Sequence, residues 1–207
     1  MEWRGSYIIE IPMNYLVPLS SLGVLCSLFF LQVFRKNVSD KMRVLISKWA
    51  FIFSMLGVVF WYIFLTASQY FLWIQSGAPF IYFLPPHESI LYLFQYHFVR
   101  FLMYYCISFI IGILLVFYGR RYNKKFSSKF FEDEELYIGG VAIFLLGNPA
   151  WMYGWIFYLI AVFLGGLIGT VYINKIQKKP EERFSLYYLW STLAIIAIII
   201  SELVIRN

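Results

Sequence analysis

Long apolar runs dominate this chain, and short polar stretches part them. The first run extends from about Met13 to Phe34 and the second from about Trp49 to Trp73. A polar turn follows, with Gly77, Pro79, Pro85, Pro86, His87 and Glu88 and no basic residue. The third run begins near Leu91 and ends at Tyr118. A membrane-crossing helix needs ~20 apolar residues, so each run predicts one span. The stretch from Leu136 to Ile173 is too long for one span and is broken at Asn148-Pro149. Leu136 to Gly147 alone is too short to cross ~30 Å at ~1.5 Å per residue. A fourth helix that starts near Phe130, with acids at its beginning, and ends at Asn148 meets the length. A fifth then runs from about Trp151 to Ile173 and a sixth from about Leu186 to Ile205. The predicted fold is all-α, a polytopic membrane bundle of about six transmembrane helices forming a single domain over residues 1–207.

Charge fixes the parity of these crossings. Fourteen of the seventeen Lys and Arg fall in three clusters. They are Arg35, Lys36, Lys41, Arg43 and Lys48; then Arg120, Arg121, Lys124, Lys125 and Lys129; then Lys175, Lys178, Lys179 and Arg183. Only Arg4, Arg100 and Arg206 lie elsewhere. Multi-spanning proteins mark their cytoplasmic loops in this way. The chain must then cross twice between the second and third clusters, which predicts a multi-pass protein of the cell membrane with six spans, both termini outside and the basic loops cytoplasmic. A composition 61% hydrophobic and 14% charged agrees with a membrane protein. The net charge of +6 therefore predicts contact with anionic lipid headgroups rather than nucleic acid. Many of the seven Trp and seventeen Tyr flank the predicted spans, as interfacial anchors do. Cys26 and Cys106 lie in apolar runs, outside any CxxC pair or Cys/His cluster, so neither a zinc site nor a disulfide framework is expected. The N-terminus lacks the pattern of a cleavable signal peptide. No cofactor is implied.

Few residues offer chemistry. Glu132, Asp133, Glu134 and Glu135 form an acidic run where the fourth span begins. Carboxylates there complement the positive end of a helix dipole and can pair with the basic loop; desolvated at a membrane boundary, they are also candidates for acid–base work. The two aspartates of the chain, Asp40 and Asp133, both fall in basic-loop segments. An aspartyl protease needs two carboxylates that share a proton, and two aspartates on one membrane side are compatible with that. Arg100, three residues after His97, is predicted to share a helix face with it, either as a site within the bundle or snorkelling to the outer headgroups. Gln32 is either a helix–helix hydrogen-bonding residue or part of a site. Gly165, Gly166 and Gly169 make a small-residue face for close packing in the bundle or for dimerisation.

Three segments carry a resemblance. The last third reads LLGNP (145–149), FLGGLIGTVYI (163–173), the Lys-rich KIQKKPEERF (175–184) and RFSLYYLW (183–190) before a closing apolar helix. The second segment is DEELYIGGVAIFLLG (133–147) and the third LQVFRKNVSDKMRV (31–44). In layout these resemble the type IV prepilin and preflagellin peptidases, membrane aspartyl proteases of six to eight spans whose two aspartates sit at the cytoplasmic face. Laid on that pattern, Gln32 falls on the first aspartate and Ser39-Asp40 on the following Pro-Asp. Glu135 falls on the second aspartate of Gly-x-Gly-Asp, Glu134 replaces the glycine before it, and Tyr137 replaces the Lys. The resemblance implies a prepilin-peptidase-like membrane protein that has lost its catalytic pair, or one whose dyad has moved to Asp40 and Asp133. A prepilin-like or other membrane protein is the implied partner within the lipid bilayer.

Two other readings are carried forward. EELYIGG (134–140) is similar to the Glu-Glu opening of the CAAX-type intramembrane proteases, with Gly139 in place of their Arg and no His after Glu135. A non-enzymatic solute-binding or assembly subunit would need no catalytic set; its polar groups to test are Glu88, His97 and Arg100.

Overall fold

A computed structural model describes residues 7–125, 131–151, 153–176 and 186–206. Lys129, the predicted fourth-span start at Phe130, and the third basic cluster beyond Lys175 lie outside the described residues. Six helices and no strand occur among those described. They are α1 (Tyr7–Val33), α2 (Asp40–Ser76), α3 (Ile90–Lys125), α4 (Asp133–Leu145), α5 (Gly154–Val171) and α6 (Tyr187–Arg206). A 3-10 turn at Arg35–Asn37 joins α1 to α2, and π turns lie within α3 at Phe98–Leu102 and after α5 at Tyr172–Ile176. All but α4 are long and apolar enough to cross a membrane. The chain is a polytopic helical membrane bundle.

The fourth helix is the exception that organises the rest. Its 13 residues rise only about 20 Å, short of the ~30 Å hydrocarbon core. Every residue from Glu134 to Leu145 is buried. A helix that is apolar on all sides belongs inside a bundle, and the other helices wrap this one. Glycines let them close in. A Cβ on Gly112 of α3 would stand 2.9 Å from the Gly140 carbonyl oxygen of α4. One on Gly139 would meet the Trp190 ring of α6 at 2.9 Å. The α5 face predicted from Gly165 and Gly166 is spent within the bundle, against Leu189 of α6 and Leu186 just before it.

The end of α4 turns sharply and its polar backbone is served by side chains. Ser108 Oγ lies 3.0 Å from the Tyr105 carbonyl and 3.1 Å from that of Phe144, and donates its one proton there. Asn148 Oδ1 accepts the Ala150 N–H at 3.0 Å, and Trp151 Nε1 donates to Glu202 of α6 at 3.0 Å. This is the opposite end of the bundle from the basic loops.

Beyond that end the α2–α3 hairpin continues. The Tyr104 ring of α3 lies tilted against that of Tyr153 at the α4–α5 turn, with centroids 5.6 Å apart. The 14 residues from Ile90 to Met103 therefore extend past the turn, about 20 Å at ~1.5 Å each. A second small core of Trp73, Leu84 and Leu93, flanked by Tyr70, Phe80 and Tyr96, holds this extension. The hairpin also settles the neighbourhood of Arg100. Residues 101–119 carry no charge, and twenty rises separate Arg100 from Arg120, about 30 Å. The two arginines thus bracket one hydrocarbon thickness. The shared face predicted for His97 and Arg100 is not formed. Within the wider i→i+5 turn the buried stripe steps from His97 to Phe101. Arg100 stays exposed, its guanidinium 4.5 Å above the Tyr96 ring.

The glycine crossing gives an expected outcome. Gly112→Ala places a methyl against backbone that has nowhere to retreat, and stability in detergent should fall by about 1–3 kcal/mol. Gly23→Ala and Gly57→Ala, where nothing lies within 4 Å, should leave stability unchanged or raise it. Thermal unfolding of the three variants decides it; an unaffected Gly112→Ala would mean that α3 and α4 do not cross here.

Candidate functional site

The acidic run and the first basic cluster meet at one end of the bundle. Arg43, one turn into α2, turns its side chain inward and is 5% exposed. Its Nε donates to both oxygens of Glu134, at 2.8 and 2.6 Å. Glu134 sits in the first turn of α4 and is 2% exposed. Arg43 Nη1 donates to the carbonyls of Arg35 and Val38, at 2.8 and 2.9 Å, and Nη2 to Asp40 at 2.6 Å. One guanidinium therefore closes the α1–α2 turn and anchors α4. Tyr187 of α6 lies beside the same Glu134 carboxylate. Around this pair lies a weaker one, Arg35 to Glu132 at 3.0 Å, with both side chains more than a third exposed. Such a pair contributes ~0–1 kcal/mol. Burial works against the Arg35 charge and Glu132 works for it; the balance lifts its pKa above the ordinary arginine value. The Arg35 guanidinium also lies 5.0 Å from the Tyr187 ring centroid.

Gln32 and Glu135 reach the same turn of α6. Gln32 is fully buried. Its amide nitrogen donates to the Tyr187 carbonyl, and its amide oxygen accepts from the Ser191 hydroxyl. Glu135 accepts from Trp190 Nε1 at 3.0 Å, and its other oxygen turns back to the Glu132 N–H at 3.1 Å. That second contact is one half of a capping box, which supplies an acceptor to a helix start lacking partners. Tyr187, Trp190 and Ser191 thus gather Gln32, Glu134 and Glu135. Among the described residues no hydrogen bond joins Gln32 to Glu135.

Asp40 and Asp133 are placed differently. The Asp40 side chain is 90% exposed and bound to Arg43. Asp133 is exposed on the outer face of the α4 start, at the rim of a groove that also holds Arg120 and Lys124. No hydrogen bond joins the two aspartates among the described residues. Neither histidine stands near the glutamates: His97 is buried in α3 before its π turn, and His87 packs on Tyr82 in the hairpin. No group of three or more His, Cys, Asp or Glu that would hold a metal occurs among the described residues. Glu88, His97 and Arg100 do not converge either, since Arg100 faces out and His97 faces in.

What this end can do chemically follows from its bonds. A primary amide neither holds nor releases a proton near neutral pH, so Gln32 is no acid or base. Glu134 is committed to Arg43. Glu135 is the one buried carboxylate without a cationic partner among the described residues, and a proton-sharing pair needs two. Sequence reasoning passed over Arg43 as one loop cation among five, and did not separate Glu134 from its neighbours. A usable signal existed: an acid in the first turn of a wholly apolar helix, in a chain rich in nearby arginine, calls for a buried partner.

No protein-family model, curated protein or solved structure matches this chain.

Removing one member of a buried ion pair leaves the other charge uncompensated. Arg43→Met is expected to destabilise by about 3–5 kcal/mol in a detergent melt. Adding Glu134→Leu should restore part of the loss, with a coupling of about 1–3 kcal/mol in the double-mutant cycle. Strict additivity would show that the two charges act independently.

Proposed function

We propose that this chain is an integral membrane protein with the layout of a prepilin peptidase and without its peptidase chemistry, acting as a binding or assembly component in the bilayer. The observation that carries the reading is the state of Gln32. It stands where the resemblance puts the first catalytic aspartate, and both ends of its amide are engaged by α6. Glu135, at the second aspartate position, comes to the same helical turn. This is support for the layout, and the same geometry argues against the activity. A moved dyad at Asp40 and Asp133 gains no support from two exposed side chains, one bound to Arg43 and the other on the rim of a different groove. A CAAX-type protease gains none from glutamates with no histidine beside them.

Purified protein in detergent should leave a prepilin-type substrate uncut, and the Asp40→Asn and Asp133→Asn variants should behave as the parent does. Cleavage by the parent that disappears in both variants would replace this reading with an active membrane aspartyl endopeptidase.

The orientation belongs to the same proposal. The basic clusters put residues 35–48, 119–135 and 174–184 on the cytoplasmic side and both termini outside. A cysteine placed at the exposed position 40 should resist a membrane-impermeant maleimide in intact cells and react after lysis. Labelling of intact cells would invert the topology.

A further inference from the structure

Below the stack of Phe51 on Phe109, whose centroids are 5.6 Å apart, a groove of about 870 Å³ opens between α2, α3 and the start of α4. Its wall is apolar, from Phe51, Ile113, Val116 and Phe117. Its rim is cationic, from Arg120, Arg121 and Lys124. The order along α3 matters. From Ile113 to Arg120 the helix rises about 10 Å, so the apolar wall runs into the depth of the membrane and the cations stand at its edge.

The rim charges are free to serve a ligand. Arg121 and Lys124 are exposed and make no ion pair among the described residues. Arg120 lies 4.8 Å from the Tyr137 ring centroid, which fixes it without neutralising it. One carboxylate, Asp133, shares the rim, so three cations face one anion. The first basic cluster differs, because its Arg35 and Arg43 are consumed by Glu132 and Glu134. The rim is also built. Asn123 is buried and clamps Phe131 with two hydrogen bonds, Nδ2 to the carbonyl at 2.7 Å and Oδ1 from the N–H at 3.0 Å. That clamp holds the end of α3 against the start of α4 and keeps the groove open to its side.

We infer that this groove is a binding site for one anionic phospholipid, its phosphate on Arg120, Arg121 and Lys124 and an acyl chain along Phe51, Ile113, Val116 and Phe117. An apolar wall that ends in a cationic rim at the membrane boundary matches both parts of such a molecule. A soluble phosphate would use the rim alone, and a zwitterionic lipid would set its own cation against it.

The test is native mass spectrometry of the full chain in a neutral detergent, titrated with phosphatidylglycerol, phosphatidylcholine or inorganic phosphate. One phosphatidylglycerol should remain bound at concentrations where phosphatidylcholine does not. The Arg121→Gln/Lys124→Gln variant should bind it about twenty-five-fold more weakly, about fivefold for each cation removed. The Lys36→Gln/Lys41→Gln variant removes equal charge from the first basic loop and should bind as the parent does. Filling the wall with Ile113→Trp should weaken phosphatidylglycerol with the rim intact. Equal losses in the two double variants would reduce the effect to overall charge and overturn the site. Displacement of the lipid by millimolar inorganic phosphate, or no effect of Ile113→Trp, would overturn the role given to the acyl wall. Equal retention of the two lipids would overturn the proposal outright.

Discussion

A helix covered on every side leaves its polar groups no water, and α4 begins with acids. The ion pair between Arg43 and Glu134 resolves this conflict, and much of the basic end is built from it. Desolvating two charges costs several kcal/mol for each, so such a pair survives only where its geometry is good and its remaining donors are occupied. Here most are. Of the four Arg43 N–H groups that do not meet Glu134, three hold the Arg35 and Val38 carbonyls and Asp40. The pair therefore does more than neutralise α4. It fixes the α1–α2 turn, that turn sets the height of Gln32, and Gln32 locks α1 to α6. Three helix ends are brought into register by one buried guanidinium.

The sequence shows the helices plainly, because a run of twenty apolar residues has few other uses. The break at Asn148-Pro149 is legible for the same reason, since proline ends a helix and an asparagine side chain can take over a backbone partner. The inner arrangement of α4 is not legible. A helix apolar all round has no preferred face, so periodicity says nothing about which of Glu132, Asp133 and Glu134 points inward. The structure sorts them: Glu134 to Arg43, Glu132 to Arg35, Asp133 to the open rim. The π turn in α3 was equally hidden. It moved Arg100 off the face that three-residue spacing assigned to it, and no residue type marks such a turn.

Gln32 matches its surroundings group for group. At its place the bundle offers one carbonyl, from Tyr187, and one hydroxyl, from Ser191. An amide carries both a donor and an acceptor and satisfies the two together. A carboxylate carries acceptors only, and would set one of its oxygens against the Tyr187 carbonyl unless it held a proton. The surroundings of position 32 are thus fitted to a neutral side chain. They read as a packed helix contact between α1 and α6.

The same logic divides cations that look alike in the sequence. Arg35 precedes α2 and Arg43 lies in its first turn, where α4 brings carboxylates within reach, so they become internal fastenings. Arg120, Arg121 and Lys124 close a helix whose nearby acids are already taken, all but Asp133. Charge that a fold does not consume stays available to the phase next to it, and at this height that phase is the headgroup layer. Both clusters answer the positive-inside pattern equally well. What separates them is the number of carboxylates the bundle presents to each, and a buried α4 with its acids turned toward α1 and α2 sets that number.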